Sequence, residues 1–224
     1  MNKPKHLIIY SHGFGVRKDD RGLFTDIAAA LPGYDHLMFD YNQVDEAMGN
    51  LTVASLNEQA EHLRQVTAET KQNHPDATID LICHSQGCVV AALANPEGIR
   101  KAIFTAPPAQ LSIDSMLQLF KDRPGSDINL QGVSRLKRAD FSTTNVPAVY
   151  WQSIEIDPIA HYNEFAKTVQ LVLINATEDE IIGSQDFSEL SSGIEVIEIA
   201  TGHNFEGVTR QQLLTAITKE LPKP

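Results

Sequence analysis

Six short apolar runs, separated by longer amphipathic stretches, constrain most strongly what this chain can fold into. The runs are HLIIYS (6–11), HLMFDY (36–41), IDLICH (79–84), KAIFTA (101–106), VQLVLIN (169–175) and IEVIEIA (194–200). Most are continuously apolar, as in strands covered on both faces. The last alternates, as in a strand nearer an edge. Between the runs, Val53, Leu56, Ala60, Leu63 and Val66 recur at helical spacing, with Glu58, Glu61 and Arg64 off that stripe. Near the end of the chain, Leu213, Leu214, Ile217 and Leu221 form a second stripe, and Thr209 with Gln212 fits a capping box. Strands alternating with helices imply crossover connections. The expected fold is α/β: a mainly parallel sheet of about six strands with helices on both faces. A chain of 224 residues, 42% hydrophobic, suits one domain with a substantial core.

One interval breaks the rhythm. From Pro107 to His161 no clean strand is evident, and Pro107-Pro108, RPGSD, SRLKRAD and NVPAVYWQS fill it. So long a stretch is too much for a bare loop. It predicts a short helical insertion, 107–161, capping one edge of the sheet. Ligands of open parallel sheets bind beyond the carboxyl ends of strands, where this insertion starts. Trp151, Tyr150 and Phe141 are therefore expected to line a substrate pocket. Arg135, Lys137 and Arg138 read as a solvated helix face, or alternatively as an attractor for an anionic substrate.

Lys plus Arg number 18 and Asp plus Glu 29, a net charge of −11. That sign argues against nucleic acid or an anionic membrane as the main partner. No run approaches the ~20 apolar residues of a membrane span. Two cysteines, Cys83 and Cys88, are too few for a disulfide framework and read as buried small side chains in a reduced, cytoplasmic protein. Histidines and cysteines show no zinc spacing, and no metal or organic cofactor is expected. Nothing in the sequence bears on oligomeric state.

The junction LICHSQGCVV (81–90) carries the chemistry. A strand ends at His84, a helix begins after Ser85, and the serine falls on the tight turn between. Serine attacks carbonyls only with a base to take its proton, a carboxylate to hold that base, and donors for the oxyanion. Cys83-His84-Ser85-Gln86-Gly87 resembles the nucleophile elbow Gly-x-Ser-x-Gly of the α/β-hydrolase family, with Cys83 in place of the first glycine. TGHNFEG places His203 after the last strand, where that family carries its base; His161 is the runner-up. VLINATEDEIIG resembles the family's acid-bearing segment, with Asp179 on the aspartate and Ala176 and Gly183 at its usual glycine and proline. The order Ser85, Asp179, His203 is that of the family. YSHGFGV resembles its His-Gly loop, which offers the Phe14 amide beside the Gln86 amide as oxyanion donors. No Lys-Ser or Lys-Thr follows, which excludes a P-loop.

The resemblance covers nearly the whole chain and implies a small capped serine esterase, similar to the cinnamoyl/feruloyl esterase and acylglycerol-lipase branches. The implied activity is hydrolysis of a small-molecule carboxylic ester through an acyl-Ser85 intermediate. A thioesterase, amidase or peptidase with the same triad, and a hydrolase-like binding protein with little catalysis, remain the alternatives.

Overall fold

The computed structural model describes residues 5–120, 123–138 and 141–221. Six strands form one sheet: β1 (His6–Ser11), β2 (Asp35–Met38), β5 (Thr78–His84), β6 (Ile99–Thr105), β9 (Gln170–Ala176) and β10 (Glu195–Ile199). They lie in the order β10-β9-β6-β5-β1-β2, and every adjacent pair is parallel. Each of the six apolar runs thus became a strand of this sheet, and the alternating β10 occupies an edge.

Because side chains alternate across a strand, the sheet feeds two cores. Leu7, Ile9, Leu81, Cys83, Phe104 and Leu173 face one side, against α2 (Leu56–Asn73), α3 (Gln86–Ala94) and α6 (Pro158–Phe165). Ile8, Tyr10, Ile82, Ile103 and Ile174 face the other, against α1 (Leu23–Ala30) and α7 (Val208–Glu220). Helix α2 starts at a capping box: Ser55 Oγ accepts the Glu58 amide and Glu58 accepts the Ser55 amide. The box expected at Thr209 does not form. Gly207 caps α7, and Thr209 Oγ1 instead donates to Glu206 O.

The interval 107–161 corrects the expectation of a helical insertion. It holds α4 (Ile113–Phe120) and α5 (Ala148–Ser153), but also two strands, β7 (Val133–Lys137) and β8 (Thr143–Pro147). These form an antiparallel hairpin, and β8 pairs with β4 (Asn50–Thr52), which pairs with β3 (Gln43–Asp45). Two hairpins far apart in the chain thereby make a second, four-stranded sheet. The reason is legible in retrospect. Val133, Arg135 and Lys137 are exposed while Ser134 and Leu136 are buried, a period of two hidden by the basic side chains. Arg135 and Lys137 stand on a strand, not on a helix face.

Among the described residues no helix is long and apolar enough to cross a membrane. Cys83 and Cys88 are free and buried, and burial pushes both thiols well up from their ordinary value.

Candidate functional site

The carboxyl ends of β1, β5, β6, β9 and β10 converge on one cavity of about 670 Å³. Ser85 sits between the end of β5 and the first residue of α3, with φ 52° and ψ −127°. A non-glycine residue there is strained, and persists only where its surroundings over-determine it. The Ser85 amide donates to Thr105 O on the neighbouring strand at 2.9 Å, which anchors the turn. Gly87 is what lets α3 close on the sheet: a Cβ there would lie 2.1 Å from Ser11 O. Gly87→Ala is therefore expected to lower the unfolding free energy by about 3 kcal/mol or to prevent folding, read as a fall in denaturation midpoint. A variant of wild-type stability would contradict that packing.

Ser85 Oγ donates to His203 Nε2 at 3.0 Å, and His203 Nδ1 donates to Asp179 Oδ2 at 2.6 Å. The tautomer follows from the acid. An ionised carboxylate only accepts, so Nδ1 carries the proton and Nε2 is free to accept the hydroxyl. Asp179 Oδ1 accepts the Ile181 and Ile182 amides, both at 2.9 Å, leaving Oδ2 for the imidazole. Burial pushes the Asp179 carboxyl up, but the His203 hydrogen bond and charge, with those two amides, outweigh it and hold the group below its ordinary value. Glu180, the residue after Asp179, accepts the His203 amide at 3.1 Å. Arg210 on α7 donates to Asn204 O and Phe205 O, bracing the loop that carries the imidazole. His161, the alternative base, lies on α6 and is not part of the cavity wall.

Gln86 and Phe14, whose amides the sequence offers as oxyanion donors, both line the cavity. The Gln86 amide is the first of α3 and has no intrahelical partner. The Phe14 amide follows the His12-Gly13 loop. His12 Nε2 accepts the Tyr41 amide at 3.0 Å, so its proton is on Nδ1, which donates to Gly13 O at 2.9 Å. Across a trans peptide the Phe14 N–H points opposite that carbonyl. Burial lowers the His12 pKa, which keeps this neutral tautomer.

The aromatic residues expected to line the pocket do not line this cavity. Tyr150 and Trp151 are fully buried behind it. Tyr150 Oη donates to Gln86 Oε1 and its ring lies 5.2 Å from that of Phe14; Trp151 Nε1 donates to Ser134 Oγ. They hold the walls from outside, because each polar tip found a partner in the second sheet or the elbow. Phe141, 89% exposed, sits on the turn between β7 and β8. The apolar lining is instead Phe14, Leu111, Met116, Leu119, Phe120 and Leu136, supplied mainly by α4 and β7. Asp20 also lines the cavity, and nothing in the stretch RKDDRG distinguishes it from Asp19. Arg138 reaches the wall as well.

No protein-family model matches the chain, and no curated protein matches it by sequence. Solved structures do match in shape. Est1E from Butyrivibrio proteoclasticus, in complex with ferulic acid, superposes with a TM-score of 0.67 at 15% identity, over 98% of this chain and 89% of that one. The α/β hydrolase GrgF from Penicillium sp. sh18 gives 0.68 at 17%, over 97% and 89%. The monoacylglycerol lipase of Paleococcus ferrophilus gives 0.63 at 15%, over 96% and 93%. With one parallel six-stranded sheet, a serine on the β5–α3 turn and these neighbours across nearly its whole length, the chain has the α/β-hydrolase fold.

Proposed function

We propose that the protein is a serine hydrolase acting on carboxylic esters of small molecules. The observation that carries this is the unbroken relay from Ser85 Oγ through the His203 imidazole to Asp179, opening onto a largely apolar cavity. His203 takes the hydroxyl proton as Ser85 attacks the ester carbonyl. The Phe14 and Gln86 amides receive the oxyanion. His203 then protonates the leaving alcohol, and water activated by the same imidazole releases the acid from acyl-Ser85. Asp179 holds the imidazole tautomer and stabilises the imidazolium. The segment 107–161 acts as the cap of this site: Leu111, Met116, Leu119 and Phe120 from it, with Phe14, favour an apolar acyl or aryl group. No step calls on a metal or organic cofactor. Neighbours named as esterases and lipases support the same reaction class by shape.

A p-nitrophenyl ester series from acetate to decanoate, with fluorophosphonate labelling, tests the reading. Turnover that peaks at one chain length, with the label on Ser85, is the expected result. No turnover and no labelling would leave a hydrolase-like binding protein as the better account.

A further inference from the structure

Asp20 is a buried carboxylate of the cavity wall that the proposed reaction leaves without a task. Its side chain is 3% exposed, yet it borders the same cavity as Ser85 and His203. Asp20 Oδ2 accepts the Gly13 amide at 2.8 Å. A Cβ placed on Gly13 would lie 3.4 Å from that oxygen and 3.3 Å from Ser85 Cβ, so carboxylate, loop and serine are packed together without slack. The backbone is bent to achieve this. Asp20, Arg21 and Gly22 lie consecutively in the left-handed region, at φ 45°, 55° and 86°. Two adjacent non-glycine residues there require a surrounding structure that enforces them. The turn is closed by Gly22 and Phe24 donating to Asp19 O and Leu23 to Asp20 O. On its far side Arg21 donates to Asn204 Oδ1, beside His203.

We propose that Asp20 is a positioning residue of the loop after β1: by accepting the Gly13 N–H it completes a clamp that aims the Phe14 N–H into the cavity above Ser85. His12 holds the peptide plane on one side of Gly13 through the carbonyl, and Asp20 holds the plane on the other through the amide. Glycine between them has no Cβ to restrict it, so both clamps are needed to keep one conformation. The task requires an acceptor oxygen and not a charge. Burial, opposed by the Gly13 hydrogen bond, raises the Asp20 pKa, so the site already disfavours a full charge next to a developing oxyanion. The inference rests on Ser85 being the nucleophile and Phe14 N–H an oxyanion donor.

The test compares Asp20→Ala and Asp20→Asn on the p-nitrophenyl ester that wild type turns over best. Beside kcat and KM, it reads the dissociation constant of a trifluoromethyl ketone, which forms a tetrahedral oxyanion on serine. Asp20→Ala is expected to lose about 30-fold or more in kcat, with KM within about threefold of wild type and ketone affinity falling with kcat. Asp20→Asn keeps an acceptor for the Gly13 N–H and is expected to recover at least about tenfold of that loss. Asp20→Ala within about threefold of wild type overturns the proposal, as does Asp20→Asn no better than Asp20→Ala. If Asp20→Ala does not fold, Asp20→Leu, similar in shape to asparagine without the acceptor, takes its place. Should neither fold, the Gly13 amide proton in 15N-glycine-labelled protein decides: its shift in Asp20→Asn must stay near that of wild type, and movement to a free-amide position overturns the clamp. An active wild type with an equally active Asp20→Ala removes this inference alone. A wild type that neither hydrolyses esters nor takes the fluorophosphonate removes the hydrolase reading and the catalytic sense of Asp20 together.

Discussion

Replacing His203 by alanine is expected to lower kcat by about 10⁴-fold or more, with KM nearly unchanged. The reason is the geometry of proton transfer. His203 Nε2 is 3.0 Å from the Ser85 hydroxyl and is the one imidazole held there by a carboxylate on its far nitrogen. Without it the hydroxyl attacks as a neutral alcohol, and the leaving alcoholate departs unprotonated. Ser85→Ala is expected to be as severe, and the double variant no worse than either, since the two groups act as one unit. Asp179→Asn should lose about 10³- to 10⁴-fold, because an amide can donate to Nδ1 and turn the imidazole to the wrong tautomer. His161→Ala is the control and should match wild type. Steady-state kinetics on the preferred ester, with the melting point of each variant beside it, reads all five. A His203→Ala enzyme within tenfold of wild type would mean that another base serves Ser85.

The second large effect is a loss of stability in mild acid. Burial lowers the pKa of His12, and lowers that of His84 further, with the nearby His203 and Arg21 adding to it. The hydrogen bonds agree. His12 Nε2 must stay unprotonated to accept the Tyr41 amide. Thr105 Oγ1 donates to Cys83 O, so it accepts from His84 Nδ1–H, and that ring is satisfied as a neutral tautomer. In the unfolded chain both histidines return to the ordinary value of 6.5. Between that value and the lower folded one, the unfolded state binds more protons, so stability falls as pH falls. Each group contributes about 1.4 kcal/mol per pH unit across that window. Asp20 works in the opposite sense, because its raised folded pKa favours the folded state as pH falls through it. The net slope below pH 6.5 is then between about 1.4 and 2.7 kcal/mol per unit. Asp179 adds a further loss only near its own ordinary value of 3.8, since its folded pKa is depressed and its contribution is present above that range. Urea unfolding at pH 7.5, 6.5 and 5.5 measures the slope, and His84→Gln should remove one proton's share of it. An unfolding free energy that stays flat from pH 7 to 5 would contradict the assignment of two neutral buried imidazoles.

How much of this was readable beforehand depended on how local the physics is. The six strands and the two long helices α2 and α7 announced themselves because burial on both faces of a sheet, or on one stripe of a helix, leaves a periodic mark on neighbouring residues. The serine on its turn, the late histidine and Asp179 were legible because each follows a strand, and a parallel sheet sends all its strand ends to one side. The second sheet was not legible. Strands β3, β4, β7 and β8 are three to five residues long, largely polar, and stable only against each other across some ninety positions of chain. Nor were the walls. Tyr150 and Trp151 carry the composition of a pocket, but whether an aromatic ring faces a ligand or backs a wall depends on which hydrogen-bond partner its polar tip meets, and Gln86 and Ser134 lie 64 and 17 residues away. Asp20 shows the same limit most plainly: beside Asp19 in the chain, it is separated from it only by a left-handed turn that drives one carboxylate inward to Gly13. Sequence alone determined the sheet, its helices and the placing of Ser85, Asp179 and His203 each after a strand, because those follow from patterns within one element. The shape of the cavity, and the partners that hold its loops, were decided only when distant elements met.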